Sequence, residues 1–287
     1  MSTPTSAFPQ WDYNGLPAPD VRPRSPLRNL IDDYLAWGRS KHTIFLLTSV
    51  DVSVFLESAN ARKLARKRPP SLVAYVARCI GVSLDGERHL LASRMNGKLY
   101  VPHAVNIAMM VSANTPEGEA MPYIMEIERA NERPLNEIGE EMARLARAMR
   151  REKLPQSPVL QGAMKLGAMP TVVRRNIYRL AMIHPKFRRY IAHYTSYVGL
   201  TAVTDYTGGR SFWGVPIMPY ACSVTMGGVS RKPVVVGDAV VPRDCLDLTF
   251  CCDHSTLDGA AGSRICDRIC TEIESGRLLN ELTESKN

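Results

Sequence analysis

A histidine and an aspartate four positions apart, His254 and Asp258 in Asp253-His254-Ser255-Thr256-Leu257-Asp258-Gly259, are the residues best suited to do chemistry in this 287-residue chain. Leu246-Asp247-Leu248-Thr249-Phe250-Cys251-Cys252 reads as a strand before them, and Ala260 to Ile269 reads as a helix after them. A histidine at the end of a buried strand can be held as a neutral base. An aspartate just before a glycine can lock the turn that presents it. Acyl transfer needs such a base, because the attacking thiol, hydroxyl or amine must lose a proton as it meets a thioester. Taken alone, a strand-end histidine is more often a hydrogen-bonded structural residue. The flanking pattern adds weight. Val234-Val235-Val236-Gly237-Asp238-Ala239-Val240-Val241 reads as a hairpin with Gly237-Asp238 at its turn.

The run from Gly227-Gly228-Val229 through Arg231-Lys232-Pro233 to Asp258-Gly259 resembles the catalytic domain of the dihydrolipoamide acyltransferases of 2-oxo acid dehydrogenase complexes. Those domains share a fold with chloramphenicol acetyltransferase. Further stretches resemble the family too: Ser25-Pro26-Leu27-Arg28 its first helix, Val50-Asp51-Val52 the next strand, Val105 to Pro116-Glu117-Gly118 its central strand and turn, and Leu135 to Met149 its long helix. The resemblance implies an α/β fold, a chloramphenicol acetyltransferase-like two-layer sandwich of a mixed sheet and packed helices. It also implies a homotrimer whose sites lie between subunits. A hydroxyl about fifty residues before the histidine, in a strand followed by a glycine-rich turn, would stabilise the oxyanion, and Thr204 in Ala202 to Gly209 stands there, with Thr201 and Thr207 as alternatives if the register differs. Asp205 replaces the family's usual asparagine, and Ser255 replaces the arginine common after the histidine. Asp258 is expected to pair with Arg28 and hold the loop before Gly259. Trp213 is expected either to line an acyl or pantetheine channel or simply to pack.

Residues 1–24, rich in proline, read as a flexible arm, and 25–287 as the catalytic domain. Ser25-Pro26 reads as a helix start, with the helix running to about Lys41. A strand is expected over Thr43–Val52 and helices over Ser53–Arg68 and Ser71–Val82. A short strand is expected at Leu99–Val101 and another over Pro122–Ile127. The main departure from the family is an insertion at about 155–200, expected to hold helices at Val159–Gly167, Pro170–Ile183 and Pro185–Tyr194. It carries Lys165, Arg174, Arg175, Arg179, Lys186, Arg188 and Arg189 and no acidic residue. Leu180, Ile183, Phe187 and Ile191 form a possible apolar stripe on it. It reads first as a solvated helical cover, and second as a docking face for an acidic carrier, a membrane or another subunit.

The net charge is +8 with 45% hydrophobic residues, so a large core is available. No nucleic-acid motif is present, and coenzyme A or an acidic carrier protein would suit the sign of the charge as well as a generally basic surface does. No apolar run spans a bilayer and no secretory signal opens the sequence. The seven cysteines lack metal-site spacing and read as reduced packing residues of a cytoplasmic protein. With no lipoyl domain or Ala-Pro linker read in the chain, the acyl group is expected from a free acyl-CoA or from a separate acyl-carrier protein. Two other classes stand beside the enzyme: a trimeric scaffold without turnover, and a carrier-docking module of a biosynthetic or dehydrogenase complex.

Overall fold

The computed structural model describes residues 24–114, 120–151 and 158–282. Residues 1–23 of the N-terminal arm and the turn at Pro116-Glu117-Gly118 lie outside them. The first helix, α1 (Pro26–Gly38), starts as expected: the Ser25 hydroxyl accepts from the Arg28 amide and proline fills the first turn. Strand β1 (Thr43–Asp51) follows, and the Asp51 carboxylate accepts from the Ser53 amide to open α2 (Ser53–Leu64). Ser71 caps α3 (Leu72–Leu84), whose Ala74, Val76, Ala77 and Ile80 are fully buried. A small ribbon, β2 (Ser93–Met95) with β3 (Lys98–Tyr100), leads to β4 (Ile107–Asn114), β5 (Ala120–Ile127) and α4 (Leu135–Arg151).

The insertion holds three helices where the sequence places them: α5 (Pro158–Ala168), α6 (Thr171–Ala181) and α7 (Pro185–Thr195). Then come β6 (Val198–Ala202), the long hairpin β7 (Cys222–Val236) and β8 (Ala239–Asp253), and α8 (Gly259–Ser275). Gly237-Asp238 is the two-residue turn between Val236 and Ala239, with Gly237 at φ +59°.

One six-stranded mixed sheet has the order β1-β8-β7-β6-β4-β5. The pairs β7–β6 and β6–β4 are parallel and the rest antiparallel. Its inner face carries Leu246, Leu248 and Phe250 from β8, Val224 from β7 and Leu200 from β6, all fully buried. Helices α3, α4 and α8 cover that face, giving the expected two layers. Two polar ties fix the helical layer. The Tyr75 phenol donates to the Ile273 carbonyl at 2.8 Å, joining α3 to α8. Glu281, in the closing turn Arg277–Leu282, takes the Arg78 guanidinium at 2.8 Å and the Leu135 amide at 2.7 Å. All seven cysteines are free thiols; six are buried and Cys270 is half-buried.

Candidate active site

The end of β8 is built around a buried carboxylate. Asp253 is almost inaccessible, and its oxygens accept from the Ser255 amide at 3.1 Å, the Ser255 hydroxyl at 2.7 Å and the Lys41 ammonium at 3.1 Å. Burial alone would raise its pKa. The Ser255 hydroxyl and amide, with the Lys41 charge, outweigh burial and hold the carboxyl below the usual carboxylate range. This turn forces the chain out of the sheet one residue later. His254 therefore sits just past the strand, exposed, with its amide donating to the His42 carbonyl at 2.8 Å. The imidazole is thus presented at the protein surface and not enclosed within this chain, as the strand-end position had suggested.

Asp258 has a different part from the one expected. Its side chain is exposed and caps α8, accepting from the Ala261 amide at 2.7 Å. Among the described residues no ion pair joins it to Arg28. The carboxylate that locks the histidine loop is Asp253, which sequence reasoning passed over. A signal for it existed: an aspartate at a strand end, two residues before a serine, is a ready Asx turn. Gly259 is the first residue of α8, and a Cβ there would meet nothing within 4 Å. No close approach within the chain demands a glycine.

Thr204 lies not in a strand but at the start of a 3-10 turn, Thr204–Tyr206, just after β6. The Val203 amide donates to the Met226 carbonyl at 2.9 Å, which docks this turn on β7. The Thr207 hydroxyl donates to the Thr204 carbonyl at 2.9 Å, and Gly208 and Gly209 then reverse the chain at φ +60° and +77°. The Thr204 hydroxyl is buried and has no partner among the described residues. An unpaired buried hydroxyl costs about 1–3 kcal/mol, and its donor is not used by any described residue. Of the alternatives, Thr201 is within β6 and Thr207 is used to close the turn. A cavity of about 500 Å³ opens beside this turn, lined by Met109, Met110, Val111, Met142, Thr201 and Tyr206 among others.

His254 and Thr204 are at opposite ends of the central strands. Asp253 pairs with Ala221 just before β7 begins, and Val203 pairs with Met226 further along it. Five residues of extended chain separate those two anchor points, about 17 Å at 3.3 Å per residue. One chain cannot bring the two side chains to one carbonyl.

A strap from Thr207 to Ala221 crosses the outer face of the sheet between these ends. The bulge between Met226 and Val229 lets it pass. A Cβ at Gly227 would lie 1.8 Å from the Phe212 carbonyl oxygen, and one at Gly228 1.8 Å from that of Arg210. The strap is anchored by Asp247, fully buried on the outer face. Asp247 accepts from Ser211 and Ser49 hydroxyls at 2.6 Å, from the Phe212 amide at 3.0 Å and from Lys232. Burial raises its pKa, but the Lys232 ammonium and these donors together hold it below the ordinary value. Trp213 clips the strap to the sheet edge: its indole donates to the Thr48 carbonyl at 3.2 Å, and Lys232 sits 4.7 Å from the ring centre. It remains partly exposed beside Phe45 and Leu47 of the outer face.

Residues 202–280 match the family model of the 2-oxoacid dehydrogenases acyltransferase (catalytic domain). No curated protein sequence matches the chain. Among solved structures, the dihydrolipoamide acetyltransferase of Azotobacter vinelandii superposes with a TM-score of 0.67 at 18% identity, covering 95% of this chain and 98% of that one. The cubic core of a pyruvate dehydrogenase multienzyme complex superposes with the same values. A truncated catalytic core of the 2-oxoacid dehydrogenase multienzyme complex from Thermoplasma acidophilum superposes with a TM-score of 0.61 at 18% identity, covering 89% and 98%.

Proposed function

We propose that this chain, which carries the fold of the 2-oxoacid dehydrogenase acyltransferase cores and matches their family model over residues 202–280, is an acyltransferase working at sites shared between copies of itself. It would move an acyl group from a coenzyme A or carrier-bound thioester to a thiol, hydroxyl or amine. His254 takes the acceptor's proton as the acceptor attacks the thioester carbonyl. The Thr204 hydroxyl, from another copy, donates to the oxyanion of the tetrahedral intermediate. The carbon–sulfur bond then breaks, and the departing thiolate recovers the proton from the imidazolium. No acyl-enzyme forms. Asp258 and Gly259 support the loop by starting α8, and Trp213 holds the strap that walls the outer face.

The observation that carries this reading is the pairing of an exposed, positioned histidine with a buried, unpartnered hydroxyl that one chain cannot bring together. In the Azotobacter enzyme a serine, a histidine and an asparagine have been investigated for their part in the catalytic mechanism. Thr204 supplies the hydroxyl here and His254 the base. The methionine-lined cavity beside Asp205 and Tyr206 suits a pantetheine arm or an aliphatic acyl chain. A homotrimer, or a larger body built from trimers, is the assembly this reading requires.

The test is thiol release from acyl-CoA thioesters of graded chain length, with dihydrolipoamide, alcohols and amines as acceptors. Turnover that falls about a hundredfold or more in His254→Ala and in Thr204→Ala supports the assignment. A folded His254→Ala protein turning over at the parent's rate on the same substrate would end it.

A further inference from the structure

The inserted helices form a surface that the reaction does not use. Helix α6 is fixed to the body by its inner side. Arg174, 3% exposed, binds Asp33 of α1 through two bonds, at 2.7 and 3.2 Å, and also reaches the Met169 carbonyl. This corrects the expectation that Arg174 belongs to an outward basic face. Neighbouring α5 is pressed so closely on α1 that a Cβ at Gly167 would lie 2.2 Å from the Pro26 carbonyl oxygen. The Arg188 guanidinium donates to the Met182 and Ile183 carbonyls, which fastens the corner between α6 and α7. The ridge is therefore held by the body of the protein on its inner side.

Its outer side is apolar. At about 100° per residue, Val172, Leu180, Val173 and Ile177 fall within one sector about 140° wide, and Ile183 extends the line past the helix end. Val172, Leu180 and Ile183 are 71%, 67% and 69% exposed. Arg175 and Arg179 flank that sector, and Lys186 and Arg189 follow on α7, all exposed. From Lys153 to Thr204 the sequence has no Asp or Glu.

We propose that this ridge seats the protein on the surface of an anionic lipid bilayer. A convex helix with aliphatic side chains at its crest and arginines along its flank matches such a surface in both respects. The aliphatics enter the boundary between headgroups and acyl chains, while the guanidinium groups meet lipid phosphates. Two ridges face to face are a poor fit, because they would set arginine against arginine with no carboxylate from either ridge. An acidic protein would have to provide a groove for the crest and carboxylates for the flank at once. The proposal stands apart from the assignment of the reaction, since no residue of the candidate active site takes part in it.

The experiment is co-sedimentation of the full chain with vesicles of phosphatidylcholine alone and of phosphatidylcholine mixed with phosphatidylglycerol, at low and high salt. The protein should sediment with the mixed vesicles, stay in solution with the neutral ones, and be released by salt. Arg175→Gln with Arg179→Gln should weaken partitioning roughly thirtyfold, at about a factor of five for each cation near the surface. Leu180→Ser with Ile183→Ser should weaken it by roughly tenfold or more. Both pairs are exposed, and thermal unfolding of each variant matching the parent shows that folding is kept. No sedimentation with either vesicle overturns the proposal. So does sedimentation unchanged in both variants, or capture of an acyl carrier protein by this face while vesicles are ignored.

Discussion

Asp253 and His254 are adjacent, yet one is almost sealed from solvent and the other stands in it. The sealed carboxylate makes the exposed imidazole a positioned group: three donors fix the turn, and the His254 amide continues the ladder onto His42. Replacing His254 by alanine removes a side chain with little packing, so the variant should unfold at the parent's temperature while losing two to four orders of magnitude in turnover, by calorimetry and by the thioester assay. Asp258→Ala should cost about 1 kcal/mol in stability, the usual worth of a helix N-cap. A double-mutant cycle with Arg28→Met in denaturant should be additive, since among the described residues no ion pair joins these two side chains. The position of His254 was legible because a histidine at a strand end is a local pattern. The true lock, Asp253, was harder to see because its partner Lys41 is distant in sequence and becomes close only when β1 pairs with β8.

The strap and the hairpin show what an element adds to its residues. Gly227-Gly228 reads in the sequence as part of a family pattern. Its physical reason is the passage of the Arg210 and Phe212 carbonyls across the strand, each where a Cβ would lie 1.8 Å away. Gly228→Ala must push the strap off the sheet and should destabilise the fold by about 2 kcal/mol or more in urea. Asp247 and Asp253 give the strap and the histidine turn a shared pH dependence. Both carboxyls titrate lower in the folded protein than in the unfolded chain. Their contribution is therefore fully present above the unfolded value of about 3.9 and is lost as pH falls through the folded values. Stability measured by urea unfolding should hold near neutrality and drop below about pH 4. Asp247→Asn should flatten that acid limb and lower stability at neutral pH by about 3 kcal/mol, because the Lys232 ammonium loses its partner. Most strand and helix positions were legible from apolar spacing and caps such as Ser25 and Ser71. Thr204 was placed in a strand because its β-forming neighbours continue the pattern of β6. The turn there is set by the Val203–Met226 bond and by Gly208-Gly209, which single-residue preference does not report.

At the scale of the molecule, the separation of about 17 Å along β7 between the anchors of His254 and Thr204 means that the proposed reaction requires more than one copy. A single copy presents His254 at one end of its sheet and the Thr204 turn at the other. The outer face between them carries Phe45, Leu47, Phe212 and Trp213, all partly exposed, and the β7–β8 hairpin projects Val235 and Val240 into solvent. Apolar surface of this kind is suited to burial against another copy. In a ring of three, each interface would set the His254 end of one copy against the Thr204 turn of the next. Two substrates could then enter one channel from opposite sides without a breach in either core. The expected outcome is specific. His254→Ala and Thr204→Ala proteins, each inactive alone, should regain part of the parent's turnover when their subunits are exchanged, because some interfaces then combine an intact histidine with an intact threonine. For random exchange in equal amounts, one interface in four carries both intact residues, so recovery should approach about a quarter of the parent's rate per site. Light scattering at micromolar concentration should give the mass of three chains or a multiple of it. A monomer, or mixed subunits that exchange freely yet stay inactive, would place the two residues in separate roles.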